Sequence, residues 1–140
     1  MPFIATVRGA HVFRLATISC FVLWCASASA QWGNPYNVPS GGSVKLGFYA
    51  SVNPDCTAAG VPTLRITQPP RNGRVVIERT RDFVTFPQSN VRSVCNQRRV
   101  QGIMVRYISQ RGYVGDDSLS GEMFWPSGTL RSGTVYIRVR

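Results

Sequence analysis

The chain has 140 residues, 44% of them hydrophobic, with 16 Lys+Arg against 6 Asp+Glu and a formal net charge of +10. That length predicts a single domain, large enough to bury a core and small enough to gain from a covalent staple. The basic excess favours anionic partners, but Lys45 is the only lysine, so the same charge equally describes arginine standing in for lysine on ordinary solvated faces.

Residues 1–30 have the order of an export leader. Arg8 and Arg14 precede an apolar run from Leu15, which closes on Ala28-Ser29-Ala30. This is a basic region, a hydrophobic region and a small-residue cleavage site. The apolar stretch is short for an anchor that must cross about 30 Å of hydrocarbon. A lipid attachment at Cys25 has a poor recognition sequence, with Trp24 before it and Ala26 after it. Cleavage is therefore expected after Ala30, with a periplasmic or secreted destination and no transmembrane segment in the mature chain. Removing Arg8 and Arg14 leaves fourteen basic side chains against six acids, a net charge near +8.

Cys20 and Cys25 leave with the leader, so Cys56 and Cys95 remain. An isolated pair in an exported domain predicts one disulfide. Two thiols with no histidine beyond His11 cannot complete an ordinary zinc site.

Residues 31–42 are rich in Gly, Pro and Asn and predict an extended segment or a short strand edge, with Trp32 available to pack on the domain. The sandwich proper is expected over residues 43–140. From Ser43 to Val52 the chain alternates, with Val44, Leu46, Phe48, Ala50 and Val52 on one side. Asn53-Pro54-Asp55 turns it. Pro62 to Thr67 predicts a strand with Leu64 and Ile66 inward. Pro69, Pro70 and Asn72-Gly73 then predict a type I′ hairpin turn.

Arg74 to Arg79 predicts the next strand, Thr80 to Asp82 a turn, and Phe83 to Phe86 a further strand. Pro87 to Gln97 is a polar excursion tied back by the disulfide. Val100 to Ser109 alternates with Ile103, Val105 and Tyr107 on one face. Gln110 to Asp117 turns the chain, with a new strand from Ser118 carrying Leu119, Gly121, Met123 and Trp125 on one face. The last strand buries Val135, Ile137 and Val139. No window holds a helical period. About seven short strands predict an all-β, single antiparallel β-sandwich, with a small barrel as the alternative.

The half from Ile66 onward resembles one repeat of the cadherin-like, Ig-like tandem domains of bacterial surface and exported proteins. Pro70, Gly73 and Val75 match their P-x-x-G-x-V segment. Tyr107, Gly112, Tyr113, Gly115, Asp117 and Ser118 match their central Y-x-P-x-x-G-Y-x-G-x-D-S motif, and Val135, Ile137 and Val139 match the closing strand. Ser109 stands where proline is usual, Leu119 where phenylalanine is usual, and the Cys95 excursion is an insertion. A solitary domain of this kind is also similar to small periplasmic proteins of Gram-negative bacteria with a comparable Cys pair. The resemblance implies a β-sandwich. Its modules serve as spacers, adhesin units and binding domains alike, so it assigns no task.

Gly112 and Gly115 are candidates for positive φ or close approach. Asp116 and Asp117 can accept backbone N–H groups across the turn, and Tyr107 and Tyr113 can rest on the sheet end while their hydroxyls find partners. Asn72, Gly73, Gly112, Tyr113, Gly115 and Asp117 are thus structural turn residues.

Asp116 and Asp117 with Glu122, and with Asp55 or Asp82 as further donors, are the acids a calcium-stabilised adhesion module would use. Such a site needs six to eight oxygen ligands, and turn capping accounts for the aspartates more simply. No metal and no cofactor is expected.

Arg71, Arg74, Arg98, Arg99 and Arg138 are the candidate anion-binding residues, because the guanidinium is a rigid donor fork for carboxylate, phosphate or sulfate. Nucleic-acid binding would need stacking aromatics in a basic groove; Tyr36, Tyr49 and Tyr136 lie near the basic residues, but the export leader argues against that partner. A mature chain without histidine excludes Ser-His-Asp and Cys-His chemistry. Asp117 and Glu122 are the nearest thing to a glycosidase pair, and the cysteines lack C-x-x-C spacing. The expected role is non-catalytic: docking of an anionic envelope component or acidic protein, or else a structural role through self-association at a β-edge.

Overall fold

The computed structural model describes residues 34–140. The expected leader, the packing of Trp32, and the rest of residues 1–33 lie outside them. Seven strands form two sheets. They are β1 (Tyr36–Val38), β2 (Ser43–Tyr49), β3 (Thr63–Gln68), β4 (Gly73–Phe83), β5 (Arg99–Ser109), β6 (Gly115–Phe124) and β7 (Leu130–Val139). One sheet has the order β1-β7-β6-β3 and the other β2-β5-β4. The all-β sandwich is therefore the fold of the described chain. One pair departs from the antiparallel rule: β1 runs parallel to β7, with Tyr36 opposite Ile137 and Val38 opposite Val139. The segment expected to be extended or a short strand edge thus supplies a three-residue edge strand.

The main core lies between the sheets, where Leu46, Ile103, Val105, Tyr107, Leu119, Met123 and Ile137 are buried together. Alternation along β5 and β6 sends these side chains inward. A second cluster, Ala50, Val52, Val84, Cys95 and Val100, lies under the polar excursion. There residues Val91–Gln97 form a short 3-10 helix, capped by Asn90, whose Oδ1 accepts the Arg92 N–H at 2.9 Å. Cys56 and Cys95 are joined as a disulfide, with Cα atoms 5.4 Å apart. It clamps the loop after β2 to the excursion, as the sequence predicts.

Four local expectations are corrected. The side chains from Val44 to Val52 do not share one face. Lys45 pairs with Arg106 and Gly47 with Val105, so a bulge at Leu46 shifts the phase. Val44, Leu46 and Tyr49 reach the main core, while Phe48, Ala50 and Val52 join the second cluster. Asn72-Gly73 is not a type I′ hairpin turn. β3 and β4 lie in different sheets, and neither residue has positive φ.

Thr80 to Asp82 does not turn. The β4–β5 ladder continues unbroken to Phe83 opposite Arg99, and no strand follows at Phe86. Finally, β6 begins at Gly115, not Ser118. Phe124, which breaks the polar phase of β6, is half exposed and lies under the Arg65 guanidinium, 5.6 Å from the ring centre.

Candidate functional site

Three chain crossings meet at one end of the sandwich: residues 39–42, 69–72 and 110–114. Asp117 holds them. Its Oδ1 accepts the N–H of Arg71 at 3.0 Å, and its Oδ2 accepts the N–H of Asn72 at 2.9 Å and the Tyr107 hydroxyl at 2.9 Å. The Ser118 N–H adds a fourth bond, to Oδ1 at 2.9 Å. Burial alone would raise the Asp117 pKa, but the Arg71 and Asn72 N–H groups, the Tyr107 hydroxyl and the Ser118 N–H outweigh it and hold the carboxyl below its usual range. Burial first, and then the hydrogen bond to Asp117, push the Tyr107 phenol up.

The other turn residues serve the same end. Gly112 and Gly115 have φ of +81° and +143°, as their positions predict. The Tyr113 hydroxyl donates to Asp116 O at 2.7 Å. Gly73 is required for a different reason from the one expected. A Cβ there would stand 2.5 Å from the Tyr107 ring.

The candidate arginines divide between the two ends. Arg71 and Arg74 line a shallow hollow of about 270 Å³ with Gly73, Ile108, Ser109 and Gln110. Ser109 Oγ donates toward Pro39 O at 2.8 Å, which ties the wall to the neighbouring turn. Arg138 belongs to this end as well, but it holds Asp116, with Nε to Oδ1 at 2.7 Å and the second nitrogen to Oδ2 at 3.2 Å. The hydrogen bond and charge of Arg138 lower the exposed Asp116 pKa.

Arg98 and Arg99 lie at the opposite end. Arg99 stacks over Phe83, 5.4 Å from the ring centre. The Gly73–Ser109 and Phe83–Arg99 rungs terminate the β4–β5 ladder, which puts the two arginine groups roughly 30 Å apart at a strand's rise per residue. Arg111, absent from the predicted set, lies at the same end of the sandwich, against the turn at Gly41. Its Cγ stands 2.7 Å from the position a Cβ on Gly41 would occupy. Only the turn packing reveals this.

The acids considered for calcium or for glycoside hydrolysis do not converge. Asp117 is engaged as above, Asp116 holds Arg138, Glu122 pairs with Arg65, and Asp82 pairs with Lys45 at 2.8 Å. Asp55 caps its own turn, accepting the Thr57 N–H and hydroxyl at 3.0 and 2.7 Å. Among the described residues, no three His, Cys, Asp or Glu side chains are grouped to hold a metal ion. No helix there is long and apolar enough to cross a membrane. No family model, curated protein or solved structure matches the chain.

Proposed function

We propose that this protein is a non-catalytic binding module, exported to the periplasm or beyond, that docks an anionic envelope component through the end of the sandwich bearing Arg71 and Arg74. The carrying observation is their placement. Both line one hollow with Ser109 and Gln110, and neither forms an ion pair among the described residues. The Arg71 backbone is pinned by Asp117, so this guanidinium starts from a fixed root and loses less freedom on capturing an anion. Five of the six acids, Asp55, Asp82, Asp116, Asp117 and Glu122, are occupied in building the fold, which supports a binding role over a catalytic one. The disulfide fits an oxidising compartment.

The test is a titration with a phosphate-bearing polysaccharide at low and near-physiological salt. Arg71→Gln/Arg74→Gln is expected to weaken binding by about tenfold or more through two lost charge-assisted contacts. Arg98→Gln/Arg99→Gln at the far end should leave it nearly unchanged. Equal losses from both pairs, or binding seen only at low salt, would reduce the arginines to a generic field.

A further inference from the structure

A second surface lies where β6 and β7 face the opposite sheet. In their ladder, Leu119 stands opposite Val135 and Met123 opposite Arg131, but between these rungs Gly121 stands opposite Gly133. A Cβ on Gly121 would meet Arg65 O at 3.0 Å and Leu64 Cδ1 at 3.1 Å, so the open space lies over Gly133. A Cβ on Gly133 would meet nothing within 4 Å. The hollow measures about 270 Å³, and its walls include Tyr49, Leu119, Met123, Trp125 and Val135. That is below the roughly 300–1,000 Å³ of small-molecule sites, and it suits one large apolar side chain.

The hollow adjoins an open strand edge. β1 covers β7 only from Ile137 to Val139. The Arg140 N–H donates to Val38 O, and Arg140 O accepts the Ser40 N–H. Backbone groups alternate sides along a strand, so the even-numbered residues of β7 turn theirs toward the β1 side. Ser132 and Thr134 therefore present N–H and C=O groups where no described strand pairs with them.

Two further features point to an occupant. The Trp125 Nε1–H, on a residue lining the hollow, is buried without an acceptor among the described residues, a costly state that a bound carbonyl would relieve. Arg131, the next residue after Gly133 in the inward phase, is exposed and forms no ion pair among the described residues.

We propose that this edge and hollow form a strand-addition site for an extended segment of a partner polypeptide. The segment carries one large apolar residue with an acidic residue two positions away. Its backbone pairs with Ser132 and Thr134, its apolar side chain fills the space over Gly133, and its carboxylate meets Arg131. A second copy of this chain fits poorly. Its own β7 would offer Gly133 and Arg131 to the hollow, and both copies carry a strongly basic charge. The site is separate from the Arg71–Arg74 end, so either can fail without the other.

The experiment displays random heptapeptides against the immobilised chain, then titrates the enriched peptides after resynthesis. Enriched sequences should combine a bulky apolar residue with an acid two positions away. Gly133→Val, which fills open space at a residue without positive φ, should keep its melting temperature and weaken binding by at least about tenfold, as should Arg131→Glu. Arg71→Gln/Arg74→Gln should have no effect. Should Gly133→Val melt low, Arg131→Glu decides alone.

The proposal is overturned if no peptide is enriched, or if enriched peptides bind these variants as well as the parent. It is equally overturned by a dimer in sedimentation that Gly133→Val dissolves, which would make a second copy the occupant. Slow hydrogen exchange at the Ser132 and Thr134 amides of the free monomer would assign the edge to the chain's own segment before residue 34, and would also overturn it.

Discussion

The Tyr107 hydroxyl donates to Asp117 Oδ2 across 2.9 Å, joining the central strand of one sheet to an inner strand of the other. The same carboxylate takes the Arg71 and Asn72 N–H groups of the β3–β4 crossing. One side chain thus satisfies donors from three separate stretches of chain, and it links two sheets that share no backbone ladder. Asp117→Asn puts an NH2 donor where one carboxylate oxygen accepts from N–H and O–H groups, and it removes the charge. It is expected to cost roughly 2–3 kcal/mol, and Tyr107→Phe roughly 1–2 kcal/mol, in urea unfolding. Because both variants break the same bond, the double variant should cost less than the sum of the two. Strict additivity would show that the bond contributes little.

The same pair sets opposite limbs of a stability–pH profile. The Asp117 pKa is lowered in the fold, so its contribution is complete above the unfolded value of about 3.9 and is lost as pH falls through the folded value. The Tyr107 pKa is raised, so its contribution is complete below the unfolded value of about 10 and is lost as pH climbs toward the folded one. Melting temperature against pH should show a plateau between these limits. Tyr107→Phe should flatten the alkaline fall. Asp117→Asn should reduce the acid fall without abolishing it, because Asp55, Asp82 and Asp116 are also lowered. An alkaline limb unchanged by Tyr107→Phe would contradict the assignment.

Gly73 and Gly112 separate two reasons for glycine. Gly112 has φ +81° with nothing within 4 Å of an added Cβ, so Gly112→Ala meets only backbone strain, about 1–2 kcal/mol. Gly73 has no positive φ, but an added Cβ would stand 2.5 Å from the Tyr107 ring, which is anchored at its hydroxyl. Gly73→Ala must displace that ring, at roughly 1–3 kcal/mol, and should disturb the Tyr107 near-ultraviolet signal. Gly112→Ala should leave that signal alone. A near-neutral Gly73→Ala with an unaltered tyrosine signal would refute the close packing.

These residues also show what sequence conveys. Asp117 and Tyr107 were legible as a turn acceptor and a capping aromatic because their chemistry is local: a short acid beside glycines, and an aromatic at a strand's end. Asn72-Gly73 misled for the same reason. Turn chemistry says that a chain reverses, but not which sheet receives it, and this reversal passes from β3 in one sheet to β4 in the other. The bulge at Leu46 left no composition signal, although it redirects Phe48 and Tyr49. The rung joining Gly121 to Gly133 was invisible because it exists only in the β6–β7 register. The separation of Arg98 and Arg99 from Arg71 and Arg74 likewise follows from pairing.

The disulfide should matter most where the core is thinnest. The second cluster holds only a few buried side chains, and Cys95, fully buried, is one of them. With a sequence separation of 39 residues, the bond contributes roughly 4 kcal/mol by constraining the unfolded chain. It also secures the contact in which Arg92 Nε donates to Val52 O at 2.7 Å. Reduction, or Cys56→Ala/Cys95→Ala, is expected to lower the urea midpoint substantially. Hydrogen exchange should rise first over residues 84–98 and then elsewhere, because the main core between the sheets makes no use of the bond. Fast exchange at Val105 and Leu119 as early as in the excursion would show instead that the two clusters unfold as one.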